Sequence, residues 1–160
     1  KIIPCLAEVN PYEVLKKHTF YIILHSHYIK IMNERFNLKQ FSERKVISED
    51  MLNCNGTLFG GCAMGWMDLL GHRIAIHITQ RTMFTAYADK IKFKSPAFLG
   101  ELVEVNGSIK ELGGVKLTLK LEVIANPDRD RRKVVEGDFT FVELDENMRP
   151  TRIHYPEGVL

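Results

Sequence analysis

Residues 59–78, Phe59-Gly60-Gly61-Cys62-Ala63-Met64-Gly65-Trp66-Met67-Asp68-Leu69-Leu70-Gly71-His72-Arg73-Ile74-Ala75-Ile76-His77-Ile78, decide the fold. Apolar side chains occupy nearly every side of a 3.6-residue period, which predicts a helix buried all round. Gly60, Gly61, Gly65 and Gly71 cost such a helix about 1 kcal/mol each relative to alanine, so something must approach closely at those positions.

Downstream the period changes from 3.6 to two. Strands are expected at Phe84 to Phe93, Leu102 to Leu112, Lys116 to Ala125 and Lys133 to Leu144. In the third, Leu117, Leu119, Leu121 and Val123 alternate with Thr118, Lys120, Glu122 and Ile124, the pattern of an antiparallel sheet covered on one face. Gly113-Gly114 and Asn126-Pro127-Asp128 supply turns. Upstream, Gln40 to Ile47 reads as a strand, followed by a loop at Ser48 to Gly56. A helix is expected from Tyr12 to Phe36, interrupted in its histidine-rich middle. These elements make an α+β domain of one long helix and about five antiparallel strands, and a sheet wrapped tightly round that helix would account for its glycines. The expected division is a helical N-terminal extension at 1–38, the domain at 39–150 and an irregular C-terminal tail at 151–160.

Composition narrows the function. The 160 residues, 45% hydrophobic, suit a single core. With 22 Lys and Arg against 20 Asp and Glu, the net charge of +2 does not support a nucleic-acid partner. Cys5, Cys54 and Cys62 form no CxxC pair and no Cys/His cluster, so neither a disulfide framework nor a zinc site is expected, and a reducing, cytoplasmic compartment fits. The apolar run Phe20 to Met32 is broken by His25, His27 and Lys30, well short of the roughly 20 residues of a span, so no membrane segment or cleavable signal is expected.

Asp68 is the chemical anomaly. Helix propensity does not favour aspartate in mid-helix, and burying an unpaired carboxylate costs several kcal/mol. Gly61, Met64, Gly65, Gly71 and His72 lie near its face, which therefore leaves room for a substrate. The bland alternative is an aspartate hydrogen-bonded to a neighbouring backbone, and spacing alone does not choose between the two. At the start of the same helix, Thr57 to Gly61 place backbone N–H groups where negative charge is favoured, as on an acyl carbonyl becoming an oxyanion. Seven residues of helix span about 10 Å, too far for both groups to serve one carbonyl, so Asp68 of one subunit is expected to work with the helix start of another. Cys54 and Cys62 lack a local histidine partner and are read as small hydrophobes, and His72 as a packed histidine.

These residues also resemble a known family. Asn53-Cys54-Asn55-Gly56-Thr57-Leu58-Phe59-Gly60-Gly61 with Trp66-Met67-Asp68 is similar to the signature of the cytosolic acyl-CoA hydrolases among hotdog-fold thioesterases. Phe93-Lys94-Ser95-Pro96 with Gly100-Glu101, and Phe139-Thr140-Phe141-Val142 with Leu144-Asp145 and Pro150, extend the likeness over about residues 40–150. The resemblance implies a long central helix wrapped by an antiparallel sheet, and hydrolysis of acyl-CoA without metal or redox cofactor, in homodimers with shared active sites, often arranged as trimers of dimers. Asp68 matches the catalytic aspartate, general base or nucleophile, and Gly60 and Gly61 match the carbonyl-binding glycines. Thr57 is expected to orient water, and Asn53, Asn55 and Phe59 to meet the substrate. Thr57 stands where many members carry Asn or Asp, Gly65 where many carry Ser or Lys, and Ser95 where Arg is common. Lys90, Lys92 and Lys94 alternate along one strand face, so Lys92 and Lys94 are expected at the coenzyme A phosphates, the bland reading being a solvated face. A non-catalytic acyl-CoA sensor and a hotdog dehydratase are the alternative functions.

Overall fold

The computed structural model describes residues 11–159, with side chains for 19–38 and 41–159. Pro4 and Cys5, and the rest of the expected extension before Pro11, lie outside the described residues.

Helix α1 spans Pro11–Arg35 and runs through the histidine-rich stretch without the expected break. Strand β1 (Glu43–Val46) follows, then helix α2 (Gly60–Thr79) and strands β2 (Phe84–Phe93), β3 (Leu102–Leu112), β4 (Leu117–Ala125), β5 (Arg132–Leu144) and β6 (Pro150–Thr151). The sheet is antiparallel in the order β1-β3-β4-β5-β2, with β6 added on β5. These are the helix and strands that the periodicities predict, in the wrapped arrangement the hotdog resemblance implies. No helix among the described residues is long and apolar enough to cross a membrane.

The inner sheet face is made of alternate residues. Leu117, Leu119, Leu121 and Val123 of β4 and Val135 and Phe141 of β5 are completely buried. Against them lie Ala63, Met67, Leu70, Gly71, Ile74, Ala75 and Ile78 of α2. A Cβ on Gly71 would come within 2.7 Å of the Phe141 ring and 2.8 Å of Leu121, so the absent side chain sets how closely the helix seats. Gly107 of β3 gives Ile74 the same clearance, its own Cβ position being only 2.5 Å from Ile74 Cδ1.

The expectation that α2 is covered all round is corrected. Leu69 is 65% exposed and Ile76 38%, while Met64 and Trp66 are half-buried. One curled sheet can cover only one side of a cylinder, so the chain's own strands leave a second apolar face of α2 uncovered.

The core does not stop at residue 38 or 151. Met32 and Leu38 at one end, and Ile153 and Val159 at the other, belong to the same buried cluster as the sheet. Tyr28 donates a hydrogen bond to the Val159 carbonyl (2.5 Å), and Tyr155 to that of Gly113 (2.9 Å). Asn33 accepts from the Ile109 amide (2.8 Å), beside the bulge between Ile109 and Glu111, so a helix side chain completes a strand edge that β1 is too short to cover.

Replacing Gly71 by valine is expected to destabilise the fold by about 1–3 kcal/mol despite the better helix propensity, because Phe141 and Leu121 must move. Urea unfolding of the two proteins measures it.

Candidate active site

Residues 51–59 form the loop that delivers the chain to α2, and Asn53 holds it. Its Oδ1 accepts from the amides of Asn55 (2.9 Å) and Thr57 (3.2 Å), and its Nδ2 donates to Thr57 Oγ1 (2.9 Å). Asparagine serves here because it carries donor and acceptor on one short side chain. The loop is stitched to the β2–β3 corner by the Leu58 amide on the Ala97 carbonyl (2.8 Å) and a bridge between Thr57 and Phe98.

Helix α2 opens without a side-chain cap. The Phe59 carbonyl takes the amides of Cys62 and Ala63, whereas those of Gly60 and Gly61, the first two of the helix, have no hydrogen-bond partner among the described residues. Two unsatisfied donors at a helix start are suited to an anionic oxygen. Aromatic rings stand directly over these glycines. A Cβ on Gly60 would lie 2.8 Å from the Phe93 ring, and one on Gly61 2.4 Å from that of Phe59.

Asn53, Thr57, Gly60, Phe93 and Lys94 line one pocket of about 360 Å³. Its far wall, Lys94 to Ala97, belongs to the corner that Glu101 braces. The Glu101 carboxylate accepts from Arg132 (2.7 Å), the Phe98 amide (2.9 Å) and Asn126 (3.0 Å), and Arg132 also reaches the Pro96 carbonyl. Partial burial pushes the Glu101 carboxyl up, but these hydrogen bonds, Arg132 foremost, outweigh it and hold the group below its ordinary value of 4.5.

Asp68 stands apart from this pocket. It is half-buried in mid-helix, and its Oδ1 accepts a 2.7 Å hydrogen bond from Thr85 Oγ1 on β2. The costly burial anticipated for an unpaired carboxylate is not found within one chain, because Asp68 lies toward the uncovered side of α2 and has a hydroxyl partner. Thr85 is the partner of the candidate carboxylate that sequence reasoning missed. It lies 17 positions away on another element, and nothing in a lone strand threonine announces a helix carboxylate.

The other nominated residues divide. Phe59 is 54% exposed, its ring over Gly61 and outside the pocket lining, and Asn55 is exposed with its amide spent on Asn53. The regular alternation of Lys90, Lys92 and Lys94 is interrupted by a bulge between Asp89 and Lys92, where Lys90 has φ 52°. Lys94 enters the glycine-end pocket, whereas Lys92 lines a different cleft with Lys90. Cys54 and Cys62 are free thiols, and no cluster of metal-ligating side chains occurs among the described residues.

Known proteins show the same pattern. The thioesterase superfamily model matches residues 55–131. A Haemophilus influenzae protein described as an uncharacterized acyl-CoA thioester hydrolase is 31% identical over 106 residues, covering 63% of this chain and 69% of that one. The acyl-CoA thioester hydrolase YciA of Escherichia coli is 27% identical over 103 residues, 61% of this chain and 78% of its own. Among solved structures, a hexameric broad specificity acyl-coenzyme A thioesterase, studied as an aspartate-to-alanine mutant, is 28% identical with a TM-score of 0.64, covering 72% of this chain and 86% of that one. The hexameric thioesterase of Yersinia pestis is also 28% identical, with a TM-score of 0.63 over 69% of this chain and 92% of its own.

Because the Glu101 carboxyl is depressed on folding, its contribution to stability is fully present above about pH 4.5 and declines as pH falls below it. Unfolding free energies of wild type and Glu101→Gln are therefore expected to differ most near neutrality and to converge in acid.

Proposed function

The chain belongs to the thioesterase superfamily, and from that premise we propose that it is an enzyme hydrolysing acyl-CoA to a free carboxylic acid and coenzyme A. The observation that carries this reading is the pair of amides at Gly60 and Gly61, unpartnered among the described residues, at the start of the helix that also carries Asp68, with Gly60 lining a pocket of about 360 Å³.

The thioester carbonyl oxygen sits on the two glycine amides, where the helix dipole favours the charge that develops on it. Asp68, oriented by Thr85, either removes a proton from water as it adds to the carbonyl carbon or attacks that carbon itself. In the first course the tetrahedral intermediate collapses with loss of the thiolate, which takes up a proton. In the second, the attack expels the thiolate, which takes up a proton, and water then cleaves the acyl-aspartyl anhydride to release the acid and restore the Asp68 carboxylate. Thr57 orients water, Asn53 and Asn55 shape the loop that receives the substrate, and Phe59 and Phe93 flank its carbonyl. Coenzyme A enters as part of the substrate, and no metal or redox cofactor is needed.

The site is completed by a second copy. Among the described residues strand β2 pairs only with β5, which leaves its other edge free, with Phe84, Tyr87 and Phe93 exposed. Thr85, which holds Asp68, stands at one end of β2, and Phe93, which covers Gly60, at the other. An antiparallel two-fold pairing of β2 with its copy sets the Thr85 end of one strand beside the Phe93 end of the other. Each Asp68 then meets the partner's glycine amides, which answers the separation of about 10 Å along one helix. Such dimers could build a trimer of dimers, and two solved relatives are described as hexameric.

Thiol release from a panel of acyl-CoAs tests the reaction. Asp68→Asn is expected to lower kcat by about 10²–10⁴-fold while the protein still folds, and Thr85→Val by about tenfold through a less ordered carboxylate. Full turnover in Asp68→Asn would refute the assignment, and saturable acyl-CoA binding without thiol release by wild type would favour a sensor.

For the assembly, Tyr87→Lys puts a charge on the exposed β2 edge. Sedimentation is expected to show a shift toward smaller species, with turnover falling in parallel.

A further inference from the structure

A second cleft, of about 430 Å³, lies on the outer face of the sheet. Its floor carries Lys90 and Lys92 from β2, Lys110 from β3 and Lys120 from β4, around Glu136 and Asp138 of β5, and the α1 residues His25, Ser26 and Ile29 close one side. We propose that this lysine cleft binds a phosphate-bearing ligand through a pyrophosphate-like group.

The case rests on charge and placement. Asp138 is only 5% exposed and is paired with Lys110, with Lys90 at 3.7 Å. Glu136 is met by Lys133 (2.8 Å), Lys94 (3.5 Å) and Lys120 (3.5 Å). Hydrogen bonding from Lys133 foremost, together with the nearby lysine charges, outweighs desolvation and holds the Glu136 carboxyl down at about 2. Part of this lysine is needed by the fold, because the register sets Asp89 opposite Asp138 and Glu122 opposite Glu136, like charges that repel when unscreened. The rest is surplus. Lining the cleft, four lysines (90, 92, 110 and 120) face two carboxylates, Glu136 and Asp138, an excess of two positive charges, while Glu122 is met by Lys133 (2.9 Å) and Arg131 (3.9 Å). Lys92 has no ion-pair partner among the described residues and lines the cleft.

On an open sheet such charge would disperse into solvent. Here α1 walls it in, and a concave cationic site focuses potential on a compact anion. The bulge contributes as well, since the extra residue turns Ile91 toward Gly137 on β5 while Lys90 and Lys92 both line the cleft. Four residues of strand, about 13 Å, separate Lys90 in this cleft from Lys94 in the glycine-end pocket, a length suited to an extended pantetheine arm. The phosphates can thus come from the substrate's own nucleotide or from a separate nucleotide or diphosphate.

The test is calorimetric titration of the full chain with inorganic pyrophosphate at low salt, which does not depend on the hydrolase reading. Wild type is expected to bind saturably and more weakly as salt rises. The double variant Lys90→Gln, Lys120→Gln, which keeps Lys110 on Asp138 and Lys133 on Glu136, is expected to bind about tenfold more weakly. Lys116→Gln, an exposed lysine outside the cleft, is expected to leave binding unchanged. Absence of saturable binding by wild type, or equal weakening by Lys116→Gln, overturns the proposal. Should the double variant unfold, acetylation of wild type decides: pyrophosphate must protect Lys92 and Lys120 but not Lys116, and lack of protection overturns it equally. Inhibition by pyrophosphate of acyl-CoA cleavage but not of acyl-pantetheine cleavage assigns the phosphates to the substrate; equal effects on both assign them to a separate ligand.

Discussion

Everything in this protein depends on how closely one helix seats in one sheet. Gly71 lies under Phe141 and Leu121 at distances that leave no room for a methyl group, and Ile74 presses into the gap left by Gly107. A larger residue at either glycine would lift α2 from the strands and forfeit dispersion contacts along Met67, Leu70, Ile74 and Ile78. Close seating also fixes the helix in rotation and translation, and so determines where its two chemical features point.

Rotation aims Asp68 at β2 rather than into the core. The buried positions 63, 67, 70, 71, 74, 75 and 78 define one stripe, and residue 68 falls to its side, within reach of Thr85. Translation sets the first turn of α2 against Phe93 and the loop held by Asn53. The glycines at the start and in the middle of the helix thus have different physical causes. Gly71 admits the sheet, whereas Gly60 and Gly61 admit two aromatic rings and leave their amides free.

Much of this was legible in the sequence. The change of period from 3.6 to two located the helix and all four long strands, because each element buries one face and its side chains must repeat accordingly. Asp68 was visible because a carboxylate is costly in mid-helix, and the Asn53 to Gly61 motif because it resembles the hotdog-fold thioesterase signature. Contacts distant in sequence were not legible. Thr85 on Asp68, Asn33 on Ile109, and Tyr28 on Val159 are ordinary residues made specific by tertiary placement. The exposed side of α2 was misread for a related reason. An all-round apolar helix does not say which of its faces the chain itself will cover, and Leu69, 65% exposed here, lies on the face that the sheet leaves open.

The same edge that invites a partner must also refuse the wrong ones. A strand of ten residues with one unpaired side is a template for uncontrolled sheet growth. Two register shifts, between Thr85 and Tyr87 and between Asp89 and Lys92, interrupt its flatness, and Lys90, Lys92 and Lys94 charge its second half. A copy approaching in parallel would set these lysines side by side, whereas an antiparallel copy sets them against the apolar Phe84 to Tyr87 end. At the opposite edge β1 is only four residues long, and α1 takes up the remainder of β3 through Asn33. Growth is therefore blocked on one side, and the other side suits the closed two-fold proposed to bring Asp68 and the glycine amides together.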